Sequence, residues 1–223
     1  MMTVFFSVPF RQIAVLVFVL CLGSLSAQEA LRGQVMVDLE QVRGFALEED
    51  PLNPREARTR ALEEAAYYFG GMIYGWSFRY EVGERARNIE EKLDLTPLGR
   101  VSVEDPRLEP GDVQIKNHIL YLWADYRPAG TQRYRLAKWK AGSVRSAQGY
   151  GQSLLENKGA ALEDAARAAL RAMLRGSERN RPREVVGYIS LAAFPRYWLE
   201  GGRWAAMGRF LVEIGEVRPF AAY

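Results

Sequence analysis

Apolar positions fall into a few recurring patterns along the chain, and each predicts an element. Residues 13–22 form an unbroken apolar run. Period-two alternation at Val35, Val37 and Leu39 predicts a strand within residues 35–45. Helical spacing then takes over. Ala57, Ala61, Ala65 and Tyr68 make a stripe of mostly small residues, with Leu62, Phe69 and Met72 beside it. Asn53 before Pro54 marks the helix start, as a side-chain cap and a first-turn proline. Its end falls between Gly70 and Tyr74. The same pattern returns at Ala161, Ala165, Ala168 and Ala172, with Leu162, Leu170 and Met173, and predicts a second helix from near Asn157 to near Gly176. Small residues at this spacing let a helix backbone lie close to a sheet.

The two helices share a motif, Ala61-Leu62-Glu63-Glu64-Ala65-Ala66 and Ala161-Leu162-Glu163-Asp164-Ala165-Ala166. Their flanks match too. A strand-like stretch precedes each, residues 35–45 and 134–150, ending near Gly44-Phe45 and Gly149-Tyr150. Two strand candidates follow each. In the first half these are residues 98–103 and 113–126, joined through Pro106, Pro110 and Gly111. In the second they are residues 185–194 and 204–217, joined through Gly201-Gly202. The halves close on Arg127-Pro128 and Arg218-Pro219. The expectation is an α+β fold of two tandem βαββ units, each a small sheet with one helix packed on a face. The first unit spans residues 28–130 and carries an extra polar, helical stretch at residues 79–95. The second spans residues 131–223.

The apolar run near the start has a different meaning. Arg11 precedes it, and small residues (Gly23, Ser24, Ser26, Ala27) follow before the chain turns polar at Gln28-Glu29. This is the order of a secretory signal peptide, residues 1–27, with cleavage after Ser26 or Ala27. Ten residues fall short of the roughly twenty that span a bilayer. A retained signal-anchor is the alternative. The bulky residues before Cys21 argue against lipid attachment there. The expected location is the periplasm, with no transmembrane span after signal removal.

Removal of the signal takes away Cys21, the one cysteine of the 223 residues, and leaves 29 basic against 27 acidic residues, a net charge of +2. Disulfides and thiol catalysis then have no residue to use. His118 is the sole histidine, on the polar side of a predicted strand, so a zinc site would rest on carboxylates, a poor match to the metal. No serine sits in a Gly-x-Ser-x-Gly elbow. Gly70-Gly71 and Gly201-Gly202 lack the spacing of a phosphate loop. The carboxylates of Glu48-Glu49-Asp50, Glu63-Glu64 and Glu163-Asp164 lie at helix starts, where negative charge is favoured. No catalytic residue, cofactor or metal is expected, and the protein reads as a non-enzyme. A carboxylate-dependent hydrolase is the weakest of the alternatives.

Two groups of side chains stand out for binding. Arg133, Arg135, Lys138 and Lys140 follow one another along a strand-like stretch with Tyr134 and Trp139 interleaved, and Arg145 continues it. Arg179, Arg181 and Arg183 punctuate the loop after the second helix. Outside the cytoplasm the anions available to such residues are cell-wall polymers, lipid head groups and acidic protein faces, not nucleic acid. Tyr74 and Trp76, at one helix end, and Tyr197 and Trp198, at the last hairpin, are candidates for an interaction surface, since Tyr, Trp and Arg are enriched at binding hot spots.

Residues Val42-Arg43-Gly44-Phe45-Ala46, Arg55-Glu56-Ala57-Arg58, Ala61-Leu62-Glu63-Glu64-Ala65, Gly99-Arg100-Val101 and the stretch from Ile119 to Pro128 together resemble one known module. It is the N-terminal domain of flagellar assembly protein T, a periplasmic component of the flagellar H-ring, with relatives among bacterial envelope modules. The resemblance covers about residues 35–128. It implies structural or assembly work through contacts with other envelope or flagellar basal-body proteins. An envelope binding module for an anionic glycan or lipid is the alternative.

Overall fold

The computed structural model describes residues 30–40, 52–84, 88–177 and 182–219. The expected signal peptide, Gly44-Phe45, Glu48-Glu49-Asp50, Arg179 and Arg181 lie outside the described residues. The first strand, β1 (Leu31–Asp38), buries Val35 and Val37 on one face, in keeping with the period-two pattern. Helix α1 (Pro54–Ile73) starts where the sequence predicts. The Asn53 side chain accepts from the amides of Arg55 and Glu56, both at 3.0 Å. Ala57, Ala61, Ala65, Tyr68 and Phe69 form its buried face. Gly70 and Gly71 stay inside the helix. Gly75, with φ +69°, turns the chain just past its end, in the left-handed region that a glycine occupies without strain.

The stretch at residues 79–95 is not helical. It forms the arms of a hairpin, β2 (Trp76–Glu81) and β3 (Lys92–Pro97). Trp76, Phe78 and Tyr80 are buried while Ser77, Arg79 and Glu81 face outward, which is strand alternation. The strands expected at residues 98–103 and 113–126 also fall differently. The first is loop, with the Leu98 amide bonded to the Gly75 carbonyl at 3.0 Å. The second splits into β4 (Leu108–Lys116) and β5 (Ile119–Tyr126) around Asn117-His118. Both turn residues have positive φ, 50° and 59°, as a two-residue hairpin turn demands. His118 is thus a turn residue, 3.1 Å from the Glu40 carboxylate.

The strand expected across residues 134–150 begins as a helix, α2 (Thr131–Lys138), and becomes strand only at β6 (Arg145–Ser153). Gln132 is buried against the first half, where the Tyr126 hydroxyl bonds to it, and Tyr134 is left 76% exposed. Helix α3 (Lys158–Ser177), β7 (Pro182–Leu191), β8 (Arg196–Glu200) and β9 (Arg203–Pro219) complete the chain. Gly201 and Gly202, with φ 56° and 72°, make the β8–β9 turn.

The fold is α+β, with two sheets. The smaller runs β1-β5-β4, antiparallel throughout, and α1 packs on β1 and β5. The larger runs β3-β2-β7-β9-β6, with β8 also on β9, and α3 packs on β6 and β9. Two strand paths coincide: β1-β5-β4 around α1, and β6-β9-β7 around α3. In each, the strand before the helix pairs with the last strand of that half of the chain. The β2–β3 hairpin leaves the first path and pairs with β7, so the two halves share one sheet across residue 130.

Closeness of α3 to its sheet depends on two glycines. A Cβ on Gly149 would stand 1.8 Å from the Ala165 carbonyl oxygen, and one on Gly151 would stand 2.2 Å from the Ala165 nitrogen. The apolar interior is continuous between the sheets. Phe194, from the β7–β8 connection, lies over Gly33 of β1 and packs edge-on against Phe69 at 4.8 Å and Tyr68 at 5.3 Å. No helix among the described residues is long and apolar enough to cross a membrane.

Candidate functional site

The most unusual polar residue is Lys158. Asn157 caps α3 through a bond from the Ala160 amide (3.1 Å), so Lys158 occupies the first helical position. A cation there opposes the positive end of the helix dipole. Four neighbours offset this. The ammonium donates to Glu64 of α1 at 2.5 Å and to the Met36 carbonyl of β1 at 2.7 Å. It also sits 4.5 Å from the Tyr197 ring centre and 5.2 Å from that of Trp204. The Tyr68 hydroxyl donates to the same Glu64 oxygen at 2.5 Å. Burial pushes the Lys158 pKa down, and the Glu64 charge opposes that shift. Burial, with the Glu64 charge, pushes the Tyr68 hydroxyl well up, and Tyr197 is raised chiefly by burial.

A cleft of about 390 Å³ opens beside this cluster, bordered by Asp38, Arg60, Glu63 and Glu156. Lys158 is the floor of the cleft, with its ammonium spent on Glu64, Met36 and two ring faces. Its chemistry is that of a fastener: it ties α3 of the second half to α1 and β1 of the first.

Two further polar clusters do the same. Arg171 of α3 grips Glu91, just before β3, through both Nε (3.0 Å) and Nη2, and the Tyr80 hydroxyl donates to Glu91 as well. Burial works against the Glu91 charge, but the bonds from Arg171 and Tyr80 prevail and its pKa is lowered. Tyr80 is pushed up to about 12, mainly by burial and then by Glu91. In the third cluster Asp105 accepts from Arg107 (2.7 Å) and from the Tyr126 hydroxyl (2.9 Å), and Gln132 bonds to Tyr126 and Tyr74. The Arg107 bonds hold the Asp105 carboxyl at about 2.

The residues singled out from sequence do not converge. Arg133, Arg135, Lys138 and Lys140 lie on or just after α2, all exposed. Arg133 donates to the Pro128 carbonyl at 3.0 Å, Arg135 covers the Tyr74 ring, and Lys138 stands 6.0 Å from the Tyr188 ring centre. Three of the four thus hold α2 in place. Trp76 is a core residue, because Gly71 leaves room for its ring. Tyr197 is a wall of the lysine site. Trp198 is half-buried, 5.9 Å from the Tyr150 ring, and both side chains donate to Glu200, the Tyr150 hydroxyl at 2.9 Å and the Trp198 indole N–H at 3.3 Å. Lys158 is the residue that sequence reasoning passed over, and Tyr68 was read only as part of the buried helix face. The one local signal of Lys158 is a cation at a helix start.

These features define an α+β protein whose partly buried polar clusters bind its two halves to each other. The chain belongs to a protein family whose model matches residues 19–220. It is 27% identical over 176 residues to an uncharacterized protein of Treponema pallidum (strain Nichols), covering 77% of this chain and 74% of that one. No solved structure matches it.

Proposed function

We propose that this is an exported, non-enzymatic envelope protein that works by holding other proteins, as the resemblance to a flagellar H-ring component suggests. The observation that carries this reading is the Tyr150–Trp198 pair. Gly149 and Gly151 face α3, so Tyr150 between them faces the opposite, open side of the larger sheet. There it meets Trp198, with the rings tilted by 31° and both polar tips on Glu200. Rigid aromatics held in this way lose little entropy on binding, which suits a protein-contact anchor. The coincident strand paths around α1 and α3 further suggest a duplicated βαββ unit whose first copy lends a hairpin to the second.

The second reading is an anionic-ligand module using Arg133, Arg135, Lys138 and Lys140. One experiment separates the two. Purified protein is tested against envelope proteins and against protein-free material, namely anionic vesicles and isolated cell wall. The proposal predicts retention by envelope proteins that Trp198→Ala weakens. Retention by vesicles or cell wall alone, abolished by substituting Arg133, Arg135 and Lys140, would overturn it.

A further inference from the structure

The geometry points to a second interaction surface, the free edge of β4, which pairs with β4 of a second copy of this chain. This inference needs neither the cellular location nor the open-face reading above.

In the smaller sheet β5 is central, so β1 and β4 are edges. The β1 edge is engaged, because Lys158 takes the Met36 carbonyl and Phe194 lies over Gly33. Among the described residues no strand pairs with the outer edge of β4, and every residue from Asp112 to Lys116 is exposed. Val113 and Ile115 pair in register with Leu122 and Leu120, so they continue the apolar face of the sheet. Helix α1 covers that face over β1 and β5, and it leaves Val113 38% and Ile115 52% exposed. Two adjacent apolar side chains on a bare strand edge are a template for pairing. At the other end of β4, Pro110 and the bulge between Pro110 and Val113 interrupt the ladder, which confines any pairing to residues 112–116.

That segment is self-complementary. An antiparallel pair with its twofold axis through Gln114 sets Val113 opposite Ile115 of the second copy, and Asp112 opposite Lys116. By symmetry each pair occurs twice. Val113 and Ile115 share one face, while Asp112, Gln114 and Lys116 share the other, so apolar meets apolar and acid meets base. Neither Asp112 nor Lys116 has an ion-pair partner among the described residues. Pairing would turn two three-stranded sheets into one of six strands and remove an open edge from both copies. Five residues a side make a small interface, so the dimer is weak and concentration-dependent.

Sedimentation of the purified protein between about 1 and 500 µM tests this. A reversible dimer is expected. Asp112→Lys or Lys116→Asp alone sets like charges opposite each other twice and should weaken association by about tenfold. The double exchange, Asp112→Lys with Lys116→Asp, should restore it. A chain that stays monomeric throughout overturns the inference, and so does a dimer indifferent to both single exchanges. Circular dichroism checks that each variant is folded. If a single exchange unfolds the chain, Gln114→Cys in a Cys21→Ser background decides instead. With a mild added oxidant it forms a disulfide-linked dimer in this geometry, and it remains a monomer if the edge is unpaired.

Discussion

The ammonium of Lys158 stands 2.5 Å from the carboxylate of Glu64, so the helix of the second half is anchored to the helix of the first by a mostly buried ion pair. Truncating one partner strands the other charge in a low-dielectric site. Lys158→Met should therefore cost about 3 kcal/mol of stability in urea unfolding. Lys158→Met combined with Glu64→Leu should cost less than the two single losses added together. Strict additivity would show that the pair is not coupled.

Acid should reveal the Asp105 cluster. Its carboxyl titrates near 2 in the fold against an ordinary value of 3.8, because Arg107 and then Tyr126 hydrogen-bond to the charged form. A depressed carboxyl pKa gives stability that is present above the unfolded value and lost as pH falls through the folded one. Between pH 4 and 2 the wild type should lose about 1–2 kcal/mol more than Asp105→Asn. Glu91 is lowered too, through its bonds from Arg171 and Tyr80, so the difference between the two proteins is the quantity to measure. Parallel stability curves would contradict the assignment.

Close packing of α3 on β6 makes its own prediction. A Cβ at Gly149 would meet backbone, which cannot swing aside as a side chain does. Gly149→Ala should cost about 2–4 kcal/mol through forced separation of helix and sheet. Gly142→Ala, where nothing lies within 4 Å of the added carbon, should lack this overpacking penalty. Thermal melts of the two variants give the comparison.

The β2–β3 hairpin is held to α3 by Arg171 and Glu91. Arg171→Leu should raise amide hydrogen exchange in β2 and β3 selectively, while β1 and β5 keep their protection. Uniform acceleration across both sheets would mean that the bond supports the whole fold and not this hairpin.

Much of this architecture was legible where local chemistry decides. Asn53-Pro54 announces a helix start and Gly201-Gly202 a tight turn, because each acts through its own backbone. The Ala61 and Ala161 stripes announce helices that lie close to sheets. Legibility ended where partners are remote. Trp76, Phe78 and Tyr80 alternate as a strand, yet the strand they complete is β7, more than a hundred residues further on. The basic residues of α2 mimic alternation, and a remote partner of the segment is Tyr74 of the first half, whose hydroxyl accepts from Gln132. The Lys158 site draws on α1, α3, β1, β8 and β9, so no stretch of sequence contains it. Asn117-His118 was hidden for a simpler reason, since neither residue is glycine although both adopt positive φ.

Photo-cross-linking from position 198 in intact cells asks whether the Tyr150–Trp198 pair touches protein. A photoreactive amino acid at position 198 is placed on the open sheet face, and a second at Lys140 samples the basic helix. Discrete protein adducts are expected from position 198, recovered in the envelope fraction, and few from Lys140. Adducts to lipid or glycan concentrated at Lys140, with none to protein at Trp198, would contradict that expectation.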